Sequence, residues 1–554
     1  MTAAQMRRAD VGSASATLSE LVREAARRWG SKPAIRCDRR QQTATFAELD
    51  RLVDLVAEAL RSRGIGRGRH VGVMFRNDLE FPVAWLGIVR AGAAMVPLNV
   101  HLTDRDLEQV LDDIRPSFVL AASEFGQRFA PLINTGGGRL FLVPDGAGSV
   151  ADLEQRLAPM AADGSVGHNL PVGQGARPES LANVQFTSGS TGLAKGCLLS
   201  NRYWLTIADT VSRYGPRLCH DDILLSAQPF YYMDPQWNLV AALTTGATLV
   251  ILERFRSQTF WRSVQEHGAT FFYCLGVMPA MLLRTPRVPG EQISQVRYVA
   301  CSAIPGGRHA ELEERFGAPW YELYGSTETG LDIMVEEDEH DAAVRSGTIG
   351  RPMPNREIMV VDDDGMPVPR GEIGRLLVRG VGLSDGYLHE RGASQSTTGN
   401  GWYVTGDLAV WEDDGSVFFR GRVKDIIRRS GENISAAQVE DLLLSHESVQ
   451  LCACLPVLDD LRGEEVKAYV VPSGDLPADF EMLVAYAREH LAYFKVPRYW
   501  EFRAALPLTP SEKIAKGTLR RESHDALGPC FDAVTGEWLE QVRPLPEQKP
   551  LAPR

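Results

Sequence analysis

Gln185-Phe186-Thr187-Ser188-Gly189-Ser190-Thr191-Gly192-Leu193-Ala194-Lys195-Gly196 packs four hydroxyl side chains and three glycines into its last ten residues, with one lysine near the end. Apolar-leaning runs flank it, residues 181–186 before and Cys197-Leu198-Leu199 after. That pattern predicts a loop hung between two buried elements. Glycines let the backbone turn tightly enough for several N–H groups to point into one concavity, hydroxyls add donors, and the lysine adds a mobile positive charge. Such a loop suits a polyphosphate; the plainer alternative is a flexible Ser/Gly connector. Only eight of the 59 basic residues are lysine. A chain that uses arginine almost everywhere keeps lysine where a slim ammonium matters, and Lys195, Lys424, Lys513 and Lys516 all fall in motif-like segments.

Composition bounds the rest. A chain of 554 residues exceeds one ordinary core and predicts roughly two to four domains. Its 44% apolar and 23% charged residues are those of a soluble globular protein. The net charge of −12 argues against a nucleic-acid surface. Eight cysteines show no framework spacing, so buried thiols in a reducing compartment are expected. The eleven histidines form no His-Glu-x-x-His pattern. Residues 1–16 hold charges but no apolar core, against a signal peptide. The greasiest run, 237–252, is broken at Thr244-Thr245-Gly246 and is too short for a bilayer. A cytoplasmic enzyme with no membrane or nucleic-acid partner is expected.

Taken in order, the chain alternates. Leu18, Leu21, Val22, Ala25 and Trp29 have helical spacing, residues 34–36 read as a strand, and Thr45 with Glu48 forms a capping-box signature opening a helix toward Arg63. A strand at 70–74, an apolar helix at 81–91 and a strand at 94–98 follow, which argues for a mostly parallel α/β sheet. Gly136-Gly137-Gly138 reads as a turn. After the loop come an apolar helix from Trp237, strands at 248–252 and 270–275 around a helix at 260–267, and a strand at 297–301 ending in Ser302-Ala303-Ile304-Pro305. Short strands with Asp/Gly turns at 357–378 predict an all-β subdomain. Past Gly421 a smaller α/β unit runs to about Arg520, then a Pro-rich tail of low order, in which Phe531 and Trp538 suggest partial docking.

Four more segments carry chemistry. Tyr324-Gly325-Ser326-Thr327-Glu328 offers a flat ring to stack on a purine and a carboxylate to hold Mg²⁺ against phosphate. Gly401-Trp402-Tyr403-Val404-Thr405-Gly406-Asp407 ends in a single carboxylate after a tight turn, and Gly421-Arg422-Val423-Lys424-Asp425 pairs two cations with an acid. Leu506-Pro507-Leu508-Thr509-Pro510-Ser511-Glu512-Lys513-Ile514-Ala515-Lys516 closes the set.

The opening loop is no Walker A, because Lys195 precedes its glycine and no Ser or Thr follows directly. It resembles the phosphate loop of the acyl-adenylate-forming superfamily, which includes acyl-CoA synthetases, luciferases and nonribosomal adenylation domains. The family form (Y/F)-T-S-G-(S/T)-T-G-x-P-K-G is met everywhere but Ala194, where proline is usual. The other segments are similar to Y-G-x-T-E, G-W-x-x-T-G-D, G-R-x-K-D-x-I and P-x-T-x-x-G-K-I-x-K. Glu512 stands at a usual glycine of the last, and Ser430 at one of the G-G-E-N-I-like turn 430–434.

The resemblance implies an α/β protein. A large N-terminal domain (1–421) would comprise two α/β subdomains and a β-barrel-like subdomain; a small mobile α/β C-terminal domain (422–525) and a Pro-rich tail (526–554) would follow. It implies ATP, Mg²⁺ and coenzyme A, with a small carboxylic acid converted to acyl-AMP, pyrophosphate released, and the acyl group passed to the CoA thiol. An acyl-AMP ligase serving a carrier protein or separate acyltransferase is the alternative acceptor scheme, and a non-catalytic nucleotide-binding protein is the third reading. A homodimer stays open.

By the same resemblance, Thr187, Ser188, Gly189, Ser190, Thr191, Gly192 and Lys195 would cradle the phosphates, with Glu328 and Thr191 at the metal. Ala303, Ile304, Pro305, Glu322, Leu323, Tyr324, Gly325, Ser326 and Thr327 would surround adenine and the α-phosphate. Asp407 would accept both ribose hydroxyls near Phe419, Arg422 would reach ribose or phosphate, Lys424 would mark a hinge, and Gly431 would line a pantetheine tunnel. Lys513 would be the catalytic lysine, aided by Lys195, Glu328 and Thr187. The acid would sit among Tyr231, Tyr232, Asp234, Trp237, Gly276, Cys301, Ser302, Gly325 and Leu331, walls that suit a bulky hydrophobic or aromatic acid. Asp234, if inward, would meet a hydroxyl or a cation.

Overall fold

The computed structural model describes residues 15–129, 139–146, 148–162, 176–187, 195–287, 289–292, 295–305, 307–389, 398, 400–459, 461–473, 479–509, 512–523 and 528–539. Ser188, Gly189, Ser190, Thr191, Gly192 and Ala194 of the loop lie outside them, as does the Gly136-Gly137-Gly138 turn.

Two sheets with parallel centres follow from the strand–helix alternation. One has six strands in the order Arg139–Val143, Phe118–Ala122, His70–Met74, Ala94–Pro97, Leu181–Thr187, Lys195–Ser200. All neighbours run parallel except the last pair, an antiparallel hairpin in which Thr187 faces Lys195. The phosphate loop is therefore the connection of that hairpin. The second sheet has nine strands and a parallel centre running from Pro33–Cys37 through Thr248–Ile251, Ile223–Ser226, Phe271–Leu275 and Tyr298–Ser302 to Trp320–Ser326.

Local chemistry explains the boundaries. The Thr45–Glu48 capping box forms in both directions, at 3.2 and 2.8 Å, and starts the helix Phe46–Arg61; such a cap contributes about 1 kcal/mol. The helix expected from Trp237 begins earlier, at Met233, and runs to Thr245. Pro235 fits its first turn, where a missing N–H has no intrahelical acceptor to serve. Asp234 thus belongs to the helix rather than to the loop before it.

The all-β stretch is a four-stranded antiparallel sheet of Arg356–Val361, Ile373–Gly380, Tyr403–Trp411 and Val417–Arg422. The small C-terminal domain has a seven-stranded sheet with the helices Ala436–Ser445 and Phe480–His490 on its own core. Tail residues extend that sheet as Cys530–Asp532 and Glu537–Leu539. Phe531 and Trp538 lie 5.5 and 5.0 Å from the Phe480 ring, centroid to centroid. Val277 and Ala280 share a buried cluster with Leu451, Leu455, Tyr469 and Leu506, which joins the two domains.

All eight cysteines are free and seven are buried. Among the described residues no helix is long and apolar enough to cross a membrane. Histidines scattered in sequence do meet once: His340 Nε2 lies 2.6 Å and His309 Nε2 3.4 Å from Glu313 Oε1. Glu313 also accepts Trp320 N–H at 2.7 Å, and His309 donates to Trp320 O at 2.7 Å. These bonds overcome burial and hold the Glu313 carboxyl down at about 2. With its ligand atoms already hydrogen-bonded, the cluster ties two helices to the strand Trp320–Ser326.

Candidate active site

Parallel sheets of this kind place their ligands at the carboxyl ends of their strands, and the candidate site gathers there, at the ends of Leu181–Thr187, Tyr298–Ser302 and Trp320–Ser326. On its phosphate side Thr187 ends one strand and Lys195 starts the next. Lys195 Nζ sits 5.0 Å from the centre of the Tyr387 ring. Tyr387 in turn donates its hydroxyl to Glu328 Oε1 at 2.6 Å. That carboxylate and hydroxyl set is hard oxygen chemistry, which fits Mg²⁺. Sequence reading missed Tyr387; it lies far along the chain, and its strand-like bridge to Cys197 brings it back.

The turn carrying Glu328 is fixed from below. Ser326 Oγ accepts the N–H groups of Glu328 and Thr329, each at 3.2 Å. Thr329 bonds Asp332, and Asp332 pairs with Arg356 at 2.9 Å, both charges fully buried. Arg356 also donates to Thr329 O at 2.6 Å and Val381 O at 2.5 Å. Removing one partner of such a pair costs about 3–5 kcal/mol.

On the nucleoside side Tyr324 donates its hydroxyl to Asp407 Oδ2 at 2.6 Å, and its ring lies 6.2 Å from that of Phe419. Asp407 Oδ1 is buried and pairs in charge with Arg422 Nε at 3.3 Å, but makes no hydrogen bond among the described residues. A buried carboxylate oxygen without a hydrogen bond is expensive to keep. Glu322 grips the adjacent turn, accepting the N–H groups of Ala303 at 2.7 Å and Ile304 at 2.8 Å. Ala303 is held at φ 77°, a left-handed conformation rare for alanine. Burial outweighs the two hydrogen bonds and raises the Glu322 carboxyl to about 8.

On the acid side Tyr231 and Tyr232 meet edge to face at 4.9 Å, and Asn99 donates to the Tyr232 hydroxyl at 3.3 Å. Trp237 packs edge-on against Tyr273 at 5.5 Å, and Tyr273 donates to Ser302 Oγ at 3.0 Å. Asp234 lies in the first turn of its helix. Burial raises its carboxyl to about 6, opposed by Lys513. Cys301 is fully buried in the main core, because its strand is central in the sheet. Leu331, at 6% exposed, is as accessible as Tyr231 at 5% and Trp237 at 7%.

Lys513 reaches the site from the small domain. Val277 N–H donates to Glu512 O at 2.9 Å, and a Cβ on Gly276 would come within 2.2 Å of that same oxygen. Gly276, expected as pocket wall, is thus the seat of the lysine loop. Burial lowers the Lys513 ammonium below its ordinary range, while Asp234, Asp407 and Glu328 pull it back up. Arg422 ends the last strand of the four-stranded sheet and Lys424 follows it, its carbonyl accepting Arg520 at 3.2 Å. Gly431 has φ 89° and nothing among the described residues within 4 Å of where a Cβ would point. Its left-handed turn favours glycine by itself.

Comparison with known proteins places the fold in a family. Residues 22–388 match the AMP-binding enzyme family, and residues 438–513 match the AMP-binding enzyme C-terminal domain. The chain is 28% identical over 490 residues to crotonobetaine/carnitine–CoA ligase of Proteus mirabilis, covering 86% of this chain and 93% of that one. It is 27% identical over 511 residues to the Salmonella typhimurium enzyme of that name, covering 89% and 96%. ATP-bound MatB from Rhodopseudomonas palustris superposes with a TM-score of 0.81 at 25% identity, over 92% of this chain and 99% of MatB. The anthranilate CoA ligase AuaEII with anthranoyl-AMP shares the fold at a TM-score of 0.81 and 24% identity, over 94% and 99%. The chain belongs to the AMP-binding enzyme family and is an AMP-forming acid–CoA ligase.

Proposed function

We propose that the acid is bulky and largely apolar or aromatic, and that it carries a cation or hydrogen-bond donor which faces Asp234. The observation that carries this reading is the ring surface beside Asp234: Tyr231 meets Tyr232 at 4.9 Å and Trp237 meets Tyr273 at 5.5 Å, with Asp234 between Tyr232 and Trp237 along the chain. Lys513, whose ammonium feels the charges of Asp234, Asp407, Glu328 and Arg422, would stand where an acid and a nucleotide meet. There it would draw the substrate carboxylate to the α-phosphate and offset the charge that grows in the transition state. The carboxylate oxygen bonds to phosphorus, the bond to the β-phosphate oxygen breaks, and acyl-AMP and pyrophosphate result. The CoA thiol then attacks the acyl carbon, and AMP leaves with the bonding pair.

The other residues divide the binding. Asp407, through its Oδ1 beside Arg422, would accept a ribose hydroxyl. Tyr324, with the Ala303–Pro305 turn held by Glu322, would bound the adenine, and Thr187 and Lys195 would hold the outer phosphates. Glu328, beside Tyr387, would hold Mg²⁺, which when bound neutralises phosphate charge. Lys424 would serve as the hinge about which the small domain turns to admit CoA.

Tyr231, Tyr232, Trp237 and Tyr273 supply ring surface, which favours aromatic bodies and also cations. The crotonobetaine/carnitine–CoA ligases named above support a charged acid. Acid-dependent pyrophosphate exchange over a panel of neutral and cationic acids tests the reading. Trp237→Ala is expected to reorder kcat/KM across the panel and to leave ATP affinity unchanged. Asp234→Asn should lower kcat/KM about tenfold for cationic acids only, as the loss of one charged contact implies. In the unaltered protein that preference should fade as pH falls through about 6, where Asp234 takes up its proton. An unchanged ranking in both variants would remove the assignment.

A further inference from the structure

The turn 228–232, which carries Tyr231 and Tyr232, lies outside every strand. Buried side-chain amides hold its main chain instead. Asn77 donates to Gln228 O at 2.8 Å and Leu252 O at 3.1 Å, and accepts Phe230 N–H at 2.8 Å. Gln236, fully buried in the first turn of the helix Met233–Thr245, donates to Phe230 O at 2.8 Å. Gln185 donates to Tyr231 O at 2.7 Å.

These amides also bond one another. Gln236 Oε1 accepts Asn183 Nδ2 at 2.6 Å, and Gln236 Nε2 stands 3.4 Å from Gln185 Oε1. Asn183 Oδ1 accepts Trp204 Nε1 at 2.8 Å, so the series ends in the core. Asn183 and Gln185 both belong to the strand Leu181–Thr187, whose last residue is the root of the phosphate loop. A buried amide is unfavourable unless its bonds are made. Apolar side chains would fill the same space, but they would leave the carbonyls and N–H of the turn unpaired.

We propose that Gln185 and Gln236 are positioning residues which fix the acid-side turn relative to the root of the phosphate loop. They touch neither substrate; they set the depth at which the acid meets the nucleotide, and so the fraction of complexes in attack geometry. The proposal rests on the reading of Tyr231 and Tyr232 as acid wall.

The test is pyrophosphate exchange with the full-length protein. Gln185→Leu should lower kcat/KM for the acid roughly 10- to 100-fold, as an unpaired buried acceptor does, with KM for ATP moved less than about threefold. Gln185→Glu adds a readout that a hole in the core would not give. Its carboxyl can donate to Tyr231 O only when protonated, so its deficit relative to the unaltered protein should shrink as pH falls toward about 6, whereas that of Gln185→Leu stays level. Should the leucine variant not fold, the glutamate variant decides alone. Equal losses for ATP and acid in Gln185→Leu, or a deficit in Gln185→Glu that ignores pH, overturns the proposal. Failure of the acid-wall reading looks different: Trp237→Ala would then leave acid ranking intact whatever the Gln185 variants do.

Discussion

The acid-side turn and the lysine loop both border the candidate site, and their anchors differ in kind. The turn 228–232 hangs from buried amides that reach into the main core. The lysine loop is tied mostly to itself: Thr509 N–H donates to Lys513 O at 2.6 Å, Ala515 N–H to Pro507 O at 2.8 Å, and Lys513 N–H to Thr509 Oγ1 at 3.1 Å. It meets the large domain through Val277 N–H on Glu512 O and a modest apolar patch. Moving the first would uncover several buried polar groups; moving the second would release, among the bonds of the described residues named above, the one from Val277 N–H to Glu512 O. One wall is anchored in the core and the other is carried by a second domain, which suits the proposed withdrawal of the lysine before a thiol enters.

Lys513→Ala should separate the walls most sharply. Adenylation measured by pyrophosphate exchange is expected to fall about 10²- to 10³-fold, the scale of losing a group that stabilises developing charge. Thioester formation from supplied acyl-AMP should change little. The ammonium is the active form and burial lowers its pKa, so adenylation by the unaltered protein should decline as pH rises through that lowered value, earlier than an ordinary lysine allows. Lys513→Arg should carry that basic limb out of range. Equal loss in both half-reactions would mean that this lysine does not leave.

Gly276→Ala attacks the seat instead of the lysine. The new Cβ would lie 2.2 Å from Glu512 O, a backbone atom with no rotamer to escape into, at a glycine whose φ is +60°. Adenylation should drop roughly tenfold, the size of about 1.4 kcal/mol of lost docking, and thioester formation should be spared. If both fall together, the seat is part of the folded core and the contrast between the walls is lost.

Much of this site was legible because its chemistry is local. Tyr324 to Glu328, Asp407, Arg422 and Lys513 each sit in a short segment whose residue types announce a ring, a carboxylate or a cation, and the Thr45–Glu48 cap is a spacing rule. What stayed hidden is contact between distant segments. Nothing in the sequence pairs Gln185 with Tyr231, Asn77 with Phe230, or Tyr387 with Glu328, because side-chain bonds to carbonyls leave no periodic trace. Gly276 was visible as a glycine, but what it touches comes from another domain. Asp234 was visible as an acid, yet its place in the first helical turn depended on where that helix starts, and boundaries are the weakest part of any sequence reading.

Two departures from the family's glycines supply the smallest effect and the finest discrimination. Ser430 and Glu512 have φ of 52° and 57°, the left-handed region that explains the usual glycine. A side chain there costs about 1–2 kcal/mol, and glycine gives back roughly 0.5–1 kcal/mol of that through the freer unfolded chain. Ser430→Gly and Glu512→Gly should therefore each stabilise the protein by about 0.5–1 kcal/mol, read as a raised urea midpoint. Only one of the two lies at the seat. Ser430 N–H bonds Arg462 O inside the small domain, whereas Glu512 O receives Val277 N–H from the large one. The Ser430 variant should thus be silent in pyrophosphate exchange. The Glu512 variant, with a freer loop and no anion beside Lys513, should alter its rate by about twofold, the effect of some 0.4 kcal/mol. Equal kinetic effects from both would place the strain in the folding of the small domain and remove it from the movable wall.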